Sequence, residues 1–195
     1  TWDGTATESD YTLDETIGEL EVTTNTTELK VASKNGTWTY DGNVHTNKTY
    51  TVTYGDEAIE GTEGQTEFTL STGDKLTVTP AAAATITHVA ETTVDNAFTW
   101  TVANESFYTK GEDTVGKLTV TPATLTVIAE GATKEYDGKA LTNHKVTVGG
   151  DGFAEGEGAE YSFGAGRTIV GMSANSFEYD LTRGTKADNY DITTE

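Results

Sequence analysis

The chain contains no cysteine, two prolines and one methionine, and 32 Asp and Glu residues far outnumber its 12 Lys and Arg residues. The absence of cysteine excludes disulfides, Cys-type zinc sites, iron–sulfur clusters and thiol nucleophiles. The formal net charge of −20 argues against binding along nucleic-acid phosphates or at an anionic membrane surface. No apolar run approaches the ~20 residues of a membrane-spanning helix. We therefore expect neither nucleic acid nor membrane insertion in this segment.

Threonine makes up roughly a fifth of the residues and stands in short runs that alternate apolar and polar positions. A β-branched side chain fits a pleated strand better than a helix, and strict alternation puts one face of a strand in a core. The runs are separated by Gly- and Asp-rich turns, so the sequence predicts an all-β, antiparallel protein. The predicted strands contain residues 50–54, 76–78, 98–102, 118–120, 125–127, 146–148, 161–163 and 177–181.

The chain also repeats itself. Tyr-Asp-Gly occurs at 40–42 and again at 136–138, with aligned apolar positions on both sides. After an extra segment at 72–78 in the first copy, Asn96-Ala97-Phe98 realigns with Asn175-Ser176-Phe177. Self-similarity over such a distance predicts tandem copies of one β-module rather than a single globule.

A partial third copy stands at the front, where Thr-Ile-Gly-Glu-Leu-Glu-Val at 16–22 matches Thr-Val-Gly-Lys-Leu-Thr-Val at 114–120. We predict a terminal strand segment of a preceding module, or a donor strand, over 1–22. A β module over 23–121 and a second over 122–195 follow; they are called the first and second repeat below. The second repeat lacks a C-terminal strand of the Gly-Lys-Leu-Thr-Val type.

The second repeat resembles a known family. Its segments at 134–142, 155–159, 175–179 and 189–192 resemble the opening, middle and closing strands of the MBG/YDG-type repeats of bacterial surface proteins and adhesins. The resemblance covers nearly all of the second repeat and, more loosely, the first. It implies tandem extracellular β-modules in a long stalk or adhesin, and it brings no catalytic residues with it.

The predicted fold is thus a row of β-sandwich modules, immunoglobulin-like or β-grasp-like, of which the last lacks its C-terminal strand. Two interpretations of the ends stay open. In one, a tandem array is out of phase and flanking modules supply both ends. In the other, segment 1–22 of one subunit completes the 122–195 module of its neighbour by β-strand addition, which builds open filaments.

The Tyr-Asp-Gly motif is predicted to be structural. Asp-Gly supplies the positive φ of a tight turn, and the tyrosine ring covers the core with its hydroxyl at the rim. The alternative is a binding loop. A motif that occurs at equivalent places in both repeats favours the structural interpretation.

Two acidic loops, at 56–63 and 151–157, could offer the clustered oxygens that Ca²⁺ takes. Neither has EF-hand spacing, so solvated hairpin loops are the expectation and calcium the alternative. His45, His88 and His144 share no short metal spacing. We predict no metal site, no cofactor and no catalytic residues.

Aromatic and lysine side chains leave two questions open. Trp100 is expected in the core, whereas Trp38, which breaks the repeat pattern, could lie in the core or on a ligand-binding face. Lys30, Lys75 and Lys117 lie at strand-like positions, so a lysine–asparagine isopeptide crosslink stays open.

The sequence therefore predicts a non-enzymatic structural or adhesive repeat segment of a bacterial cell-surface protein or extracellular filament. Its expected partners are adjacent modules or identical subunits through edge strands, with a host or glycan ligand as a further possibility. The alternative is a carbohydrate- or Ca²⁺-binding module of a secreted protein. The aromatic side chains distinguish these two functions. A binding module exposes them on a flat or grooved face, whereas a spacer buries them.

Overall fold

The computed structural model describes residues 16–23 and 25–195, and it confirms the all-β fold class. Each of the eight predicted runs lies within a strand. Among these residues helical structure is confined to short 3₁₀ turns at 89–91, 105–107 and 187–189, and none of their helices is long and apolar enough to cross a bilayer. The part of segment 1–22 before Thr16 lies outside the described residues.

The first repeat contains ten strands in three small sheets. One has the order β4-β3-β1-β9, the second β2-β10-β7 and the third β5-β6-β8. The strands are β1 (Glu28–Ser33), β2 (Gly36–Thr39), β3 (Tyr50–Tyr54), β4 (Glu57–Glu60), β5 (Glu67–Thr69), β6 (Lys75–Pro80), β7 (Val94–Asp95), β8 (Phe98–Val102), β9 (Thr109–Lys110) and β10 (Lys117–Thr121).

The second repeat contains five strands in two sheets, with the orders β12-β11-β15 and β13-β14. No ladder among the described strands joins one repeat to the other. The strands are β11 (Ala123–Ala129), β12 (Val146–Gly150), β13 (Ala159–Phe163), β14 (Phe177–Leu181) and β15 (Tyr190–Thr194). The finer prediction of tandem sandwiches, with their boundaries at 23–121 and 122–195, stays a prediction.

The antiparallel prediction is wrong for three of the strand pairs. β1 runs parallel to β9, β2 to β10 and β11 to β15. The partners in each pair lie far apart in the sequence, so no hairpin fixes their relative direction. Apolar alternation shows which face of a strand is buried, but it is the same for either direction of the neighbouring strand.

Two hydrophobic clusters form the core. The first lies wholly within the first repeat and contains Leu29, Val31, Tyr50, Val52, Phe68, Leu70, Leu76, Val78 and Val102. The second draws on both repeats and is called the junction cluster here; it consists of Tyr40, Ile86, Leu118, Val120, Ala123, Leu125 and Tyr190. β10 leads into β11 through Pro122 alone, so apolar side chains on either side of the boundary share one buried space.

Candidate functional site

The two Tyr-Asp-Gly loops have the same backbone geometry. Gly42 has a φ of +79° and Gly138 a φ of +76°, a region that favours glycine because it has no Cβ. Asp41 Oδ1 accepts the backbone N–H of Asn43 at 2.9 Å, and Asp137 accepts that of Lys139 at 3.0 Å. The aspartates therefore form the same Asx-type turn in both repeats, and the predicted turn is confirmed.

The tyrosines of the two loops differ in burial. Tyr40 is 4 % exposed and belongs to the junction cluster, as predicted. Tyr136 is 68 % exposed, so the prediction that it covers a core is wrong. In the first repeat β10 lies beside β2, next to Tyr40. Among the described residues no strand takes that place beside 132–135, and the Tyr136 ring has no core to cover.

A single carboxylate links the two tyrosines of the junction cluster. Tyr40 donates its hydroxyl hydrogen to Glu157 Oε1 at 2.8 Å, and Tyr190 donates to Oε2 of the same residue. The Tyr190 hydroxyl in turn accepts the backbone N–H of Ala154 at 2.9 Å. Glu157 belongs to the 151–157 loop, which was expected to be a solvated acidic hairpin. That expectation is wrong for this residue, because it bonds hydroxyls from both repeats.

Burial and the neighbouring carboxylate favour the neutral form of both phenols. Burial, followed by the hydrogen bond to Glu157 and its charge, raises the pKa of Tyr40 to about 12. The same causes raise the pKa of Tyr190 above its usual value. Both hydroxyls therefore act as hydrogen-bond donors at neutral pH, and the arrangement works as a structural clamp.

Asn189 provides a second polar link between the repeats. It is fully buried, and its Oδ1 accepts the backbone N–H of Val89 at 3.1 Å. Its Nδ2 lies 3.1 Å from His88 Nδ1. The His88 ring is stacked against Tyr40 with 5.9 Å between ring centroids, and Tyr40 meets Tyr190 edge-on at 5.4 Å. The junction thus combines apolar burial with directional hydrogen bonds, which fix one relative placement of the groups involved.

Each repeat also contains an asparagine that bridges two backbone carbonyls. Asn96 Nδ2 donates to the carbonyl oxygens of Lys34 and Asn47 at 2.9 and 2.8 Å. Asn175 Nδ2 donates to those of Glu130 and Asn143 at 3.0 and 2.9 Å. We call these asparagines the carbonyl clamps. The two asparagines align in the sequence repeat, and this alignment is the only signal in the sequence for their shared role.

The acidic loops use their carboxylates in local bonds. Glu60 pairs with the Lys34 ammonium at 2.9 Å and accepts from Thr51 Oγ1 at 2.9 Å, and these hydrogen bonds lower the pKa of Glu60. Asp151 accepts both the N–H and the hydroxyl of Thr124 at 2.8 Å, which lowers the pKa of Asp151. Within the described ranges no three His, Asp or Glu side chains gather as metal ligands would. Calcium binding remains the alternative to the prediction of no metal site, and neither is tested by this arrangement.

The three histidines lie in separate surroundings. His45 is stacked on Trp38 at 4.8 Å and bonds Asp41, whereas His144 is stacked on Phe163 at 5.0 Å. His88 belongs to the junction. The structure therefore does not bring them together.

Both tryptophans in question are half-buried. Trp38 packs against the junction cluster. Trp100 packs against the first cluster, while its Nε1 donates to Asp113 Oδ2 at 2.7 Å and the Lys110 ammonium lies 4.5 Å from its ring centroid. The placement expected for Trp100 is thus only partly correct, because its polar edge reaches the surface.

The lysines considered for crosslinks are placed differently. Lys30 pairs with Glu28, Lys117 pairs with Asp95, and Lys75 is exposed at the start of β6. The side chains of Lys30 and Lys117 form ion pairs, but neither side chain is buried.

An open groove runs along the second repeat. Its lining includes residues 131–134 and 171–175 together with Leu141, Asn143 and residues 165–167, and its volume is about 800 Å³. In the first repeat the corresponding space between β2 and β7 is filled by β10, which pairs with both strands. Exposed apolar side chains flank the open groove: Ile169, Val170 and Met172 are 73, 84 and 95 % exposed.

A second exposed apolar feature lies at the front of the chain. In residues 16–23 every side chain is exposed, including Ile17, Leu20 and Val22. Isolated exposed apolar residues are ordinary, but Leu20 and Val22 stand two positions apart and so fall on the same face of an extended strand.

No family model, curated protein or solved structure matches this chain. The resemblance to MBG/YDG-type repeats therefore stays a prediction, and the function is inferred from the geometry of the folded chain.

Proposed function

We propose that the chain is a non-enzymatic structural or adhesive repeat segment of a bacterial cell-surface protein or extracellular filament. In this role its modules hold a fixed distance and direction between whatever lies on either side of them. Their partners are neighbouring modules or identical subunits, with host or glycan ligands reached from the ends. The observation that carries the proposal is the junction cluster, which joins the two repeats through a shared buried core.

The composition of the junction supports a spacer. A flexible connection between functional domains is polar and often rich in glycine. Here one proline separates β10 from β11, and Leu118 and Leu125 on either side are 0 and 1 % exposed. Three hydrogen bonds cross the boundary: one joins Tyr40 to Glu157, and two join Asn189 to His88 and Val89. Such a connection transmits orientation from one repeat to the next.

The repeated carbonyl clamps also support this role. Asn96 and Asn175 make the same bonds at the same points of their repeats, as do Asp41 and Asp137 in their turns. Features that recur in each unit of an array build the unit itself, whereas a ligand site can be confined to one unit.

Small-angle X-ray scattering of the purified full chain, coupled to size-exclusion chromatography, tests the proposal on the monomer fraction. An undivided globule of this length has a radius of gyration of about 16 Å. We expect a clearly larger value, with two in-line lobes at one fixed separation. The double variant Tyr40→Phe/Tyr190→Phe should broaden that separation. A compact particle would contradict a spacer, whereas unchanged scattering in the double variant would show that the two hydroxyl groups do not fix the separation.

A further inference from the structure

We propose that residues 16–22 of a second copy of this chain insert into the open groove of the second repeat as a donated β-strand. This inference rests on the proposed function, for which it names the partner and the contact. Three features of the chain support it: the occupied groove of the first repeat, the unpaired backbone of the open groove, and the sequence of the donor segment.

The first repeat shows what such a groove binds. β10 runs parallel to β2, with Leu118 opposite Gly36 and Val120 opposite Trp38. On its other side β10 pairs antiparallel with β7. Leu118 and Val120 point inward and are 0 and 3 % exposed. The strand thus completes the sheet and the core together.

The open groove presents the same backbone groups without partners. No backbone hydrogen bond of residues 132–135 is found within the described part of the chain. The N–H of Asn96 donates to the carbonyl of Gly116 at 2.9 Å; the N–H of Asn175, its counterpart, has no acceptor among the described residues. An unpaired strand edge beside exposed apolar surface is a template for another chain.

Segment 16–22 has the side chains that the groove requires. When it is aligned with 114–120, Leu20 takes the place of Leu118 and Val22 that of Val120. Both side chains are almost fully exposed here, at 102 and 98 %. Insertion would bury them against the second repeat, and the removal of this apolar area from water favours association. Leu20 would then lie opposite Ala132, and Val22 opposite Lys134.

A glycine requirement strengthens this register. A Cβ on Gly116 would lie 2.4 Å from the carbonyl oxygen of Lys34, so only glycine allows β10 to approach this closely. Gly18 occupies the same position in the donor segment. In the second repeat the matching carbonyl, that of Glu130, is held in place by the Asn175 clamp. A Cβ added to Gly18 would have no atom within 4 Å in this structure. The free chain therefore does not require glycine at this position.

Charge distinguishes the two grooves. In the first repeat Lys117 of β10 pairs with Asp95 of β7. The donor has Glu19 at the lysine position, and the second repeat has Ala174 at the aspartate position. Glu19 would be repelled by Asp95 but meets no carboxylate at Ala174. The donor therefore suits the groove of the second repeat better than that of the first.

The connectivity makes the assembly head-to-tail. Four residues, 121–124, separate Val120 from Leu125 of the next repeat, and six residues, 23–28, separate Val22 from Leu29. A donated strand therefore leads into the first repeat of its own copy much as β10 leads into β11. Donor and acceptor are different surfaces, so each added copy exposes a fresh groove and the chain of copies stays open.

Sedimentation velocity over a concentration series tests the proposal with the full chain. We expect the wild type to form dimers and longer species, more of them at higher salt because screening weakens the repulsion between copies of charge −20. Leu20→Asp and Gly18→Val should abolish these species. Thr23→Asp adds the same charge just beyond the donor segment and is the matched control, which should still associate.

A covalent readout tests the register. Because the chain has no cysteine, Leu20→Cys combined with Ala132→Cys should give a ladder of disulfide-linked multimers on mild oxidation. Leu20→Cys combined with Ala140→Cys, an exposed position outside the groove lining, should give no ladder. Equal crosslinking by both pairs would overturn the register.

The outcomes separate this proposal from the spacer function. If the wild type stays monomeric at every concentration, strand donation between copies is wrong, even where scattering still shows a stiff two-lobed particle. If multimers form but Leu20→Asp leaves them unchanged, the copies associate through another surface and the proposal is equally wrong. A compact particle in scattering contradicts the spacer function, whatever the association state.

Discussion

The hydroxyl of Tyr40 donates to Glu157 Oε1 at 2.8 Å across 117 positions of sequence. Tyr40 directly follows β2 in the first repeat, and Glu157 lies in the loop before β13 in the second. Since Tyr190 also donates to this carboxylate, one side chain satisfies two buried donors at the boundary between the repeats. The stability of the junction therefore depends on a residue that looks like part of a solvated acidic loop.

Replacement of Glu157 by alanine should destabilise the protein. The two tyrosine hydroxyls, in residues only 4 and 7 % exposed, would lose their acceptor, and an unsatisfied buried donor costs about 1–3 kcal/mol. We expect a loss of about 2–3 kcal/mol in the free energy of unfolding, measured by urea denaturation. Glu155→Ala, two residues earlier and exposed, is the control. Equal urea midpoints for the two variants would show that the Glu157 carboxylate does not stabilise the junction.

Alkaline pH should weaken the same junction. Because the folded-state pKa of Tyr40, about 12, lies above the ordinary tyrosine value of 10.0, its neutral form stabilises the fold. That contribution is complete below pH 10 and is lost as the pH rises toward 12. Titration followed by tyrosinate absorbance should show a late phase that shrinks in Tyr40→Phe and persists in Tyr136→Phe. A single phase centred near pH 10 would contradict this.

The two carbonyl clamps should differ in strength. Asn96→Ala leaves two backbone carbonyls without donors at a site where the asparagine is 1 % exposed, so we expect a loss of about 2–4 kcal/mol. Asn175 makes the same bonds at a half-buried site beside the open groove. Water can reach the freed carbonyls there, so Asn175→Ala should cost only about 1 kcal/mol. Thermal unfolding of both variants measures the difference. Equal losses of stability in the two variants would mean that the burial of the asparagine does not determine the cost of removing it.

The tyrosines of the two Tyr-Asp-Gly loops should respond unequally to truncation. Tyr40→Ser removes a large side chain from the junction cluster and should destabilise by about 3–5 kcal/mol. Tyr136→Ser changes an exposed side chain and should stay within about 0.5 kcal/mol. Urea midpoints of the monomeric chain give both values. A large loss in Tyr136→Ser would show that this motif stabilises its repeat despite the exposure of its ring.

Strand positions were predictable because burial of one face leaves a period-two pattern. Phe98–Val102 and Phe177–Leu181 coincide with β8 and β14. The Asp-Gly turns were predictable for a similar local reason, since positive φ at Gly42 and Gly138 restricts the residue type. In both cases the information lies within a few neighbouring residues.

Strand direction and the junction were not predictable in this way. The parallel pairing of β11 with β15 joins segments that lie more than sixty positions apart. The alternation of apolar and polar residues is the same whether the neighbouring strand is parallel or antiparallel. Glu157 could not be distinguished from its acidic neighbours, because only the folded chain brings Tyr40 and Tyr190 to it. The exposure of Tyr136 depends on the surroundings of its motif and not on the motif itself, because among the described residues no strand lies beside 132–135.

The parallel alignment of β11 and β15 has a mechanical consequence. The chain enters β11 at one end and leaves β15 at the other, and the two strands are joined over five residue pairs, from Ala123 with Tyr190 to Val127 with Thr194. Tension applied at the start of β11 and at the end of β15 pulls the two strands lengthwise past each other. Every bond in the ladder then carries load at the same time, whereas a hairpin pulled at its open end breaks bond by bond. Tension in this direction would therefore be resisted by all five residue pairs of the β11–β15 ladder together.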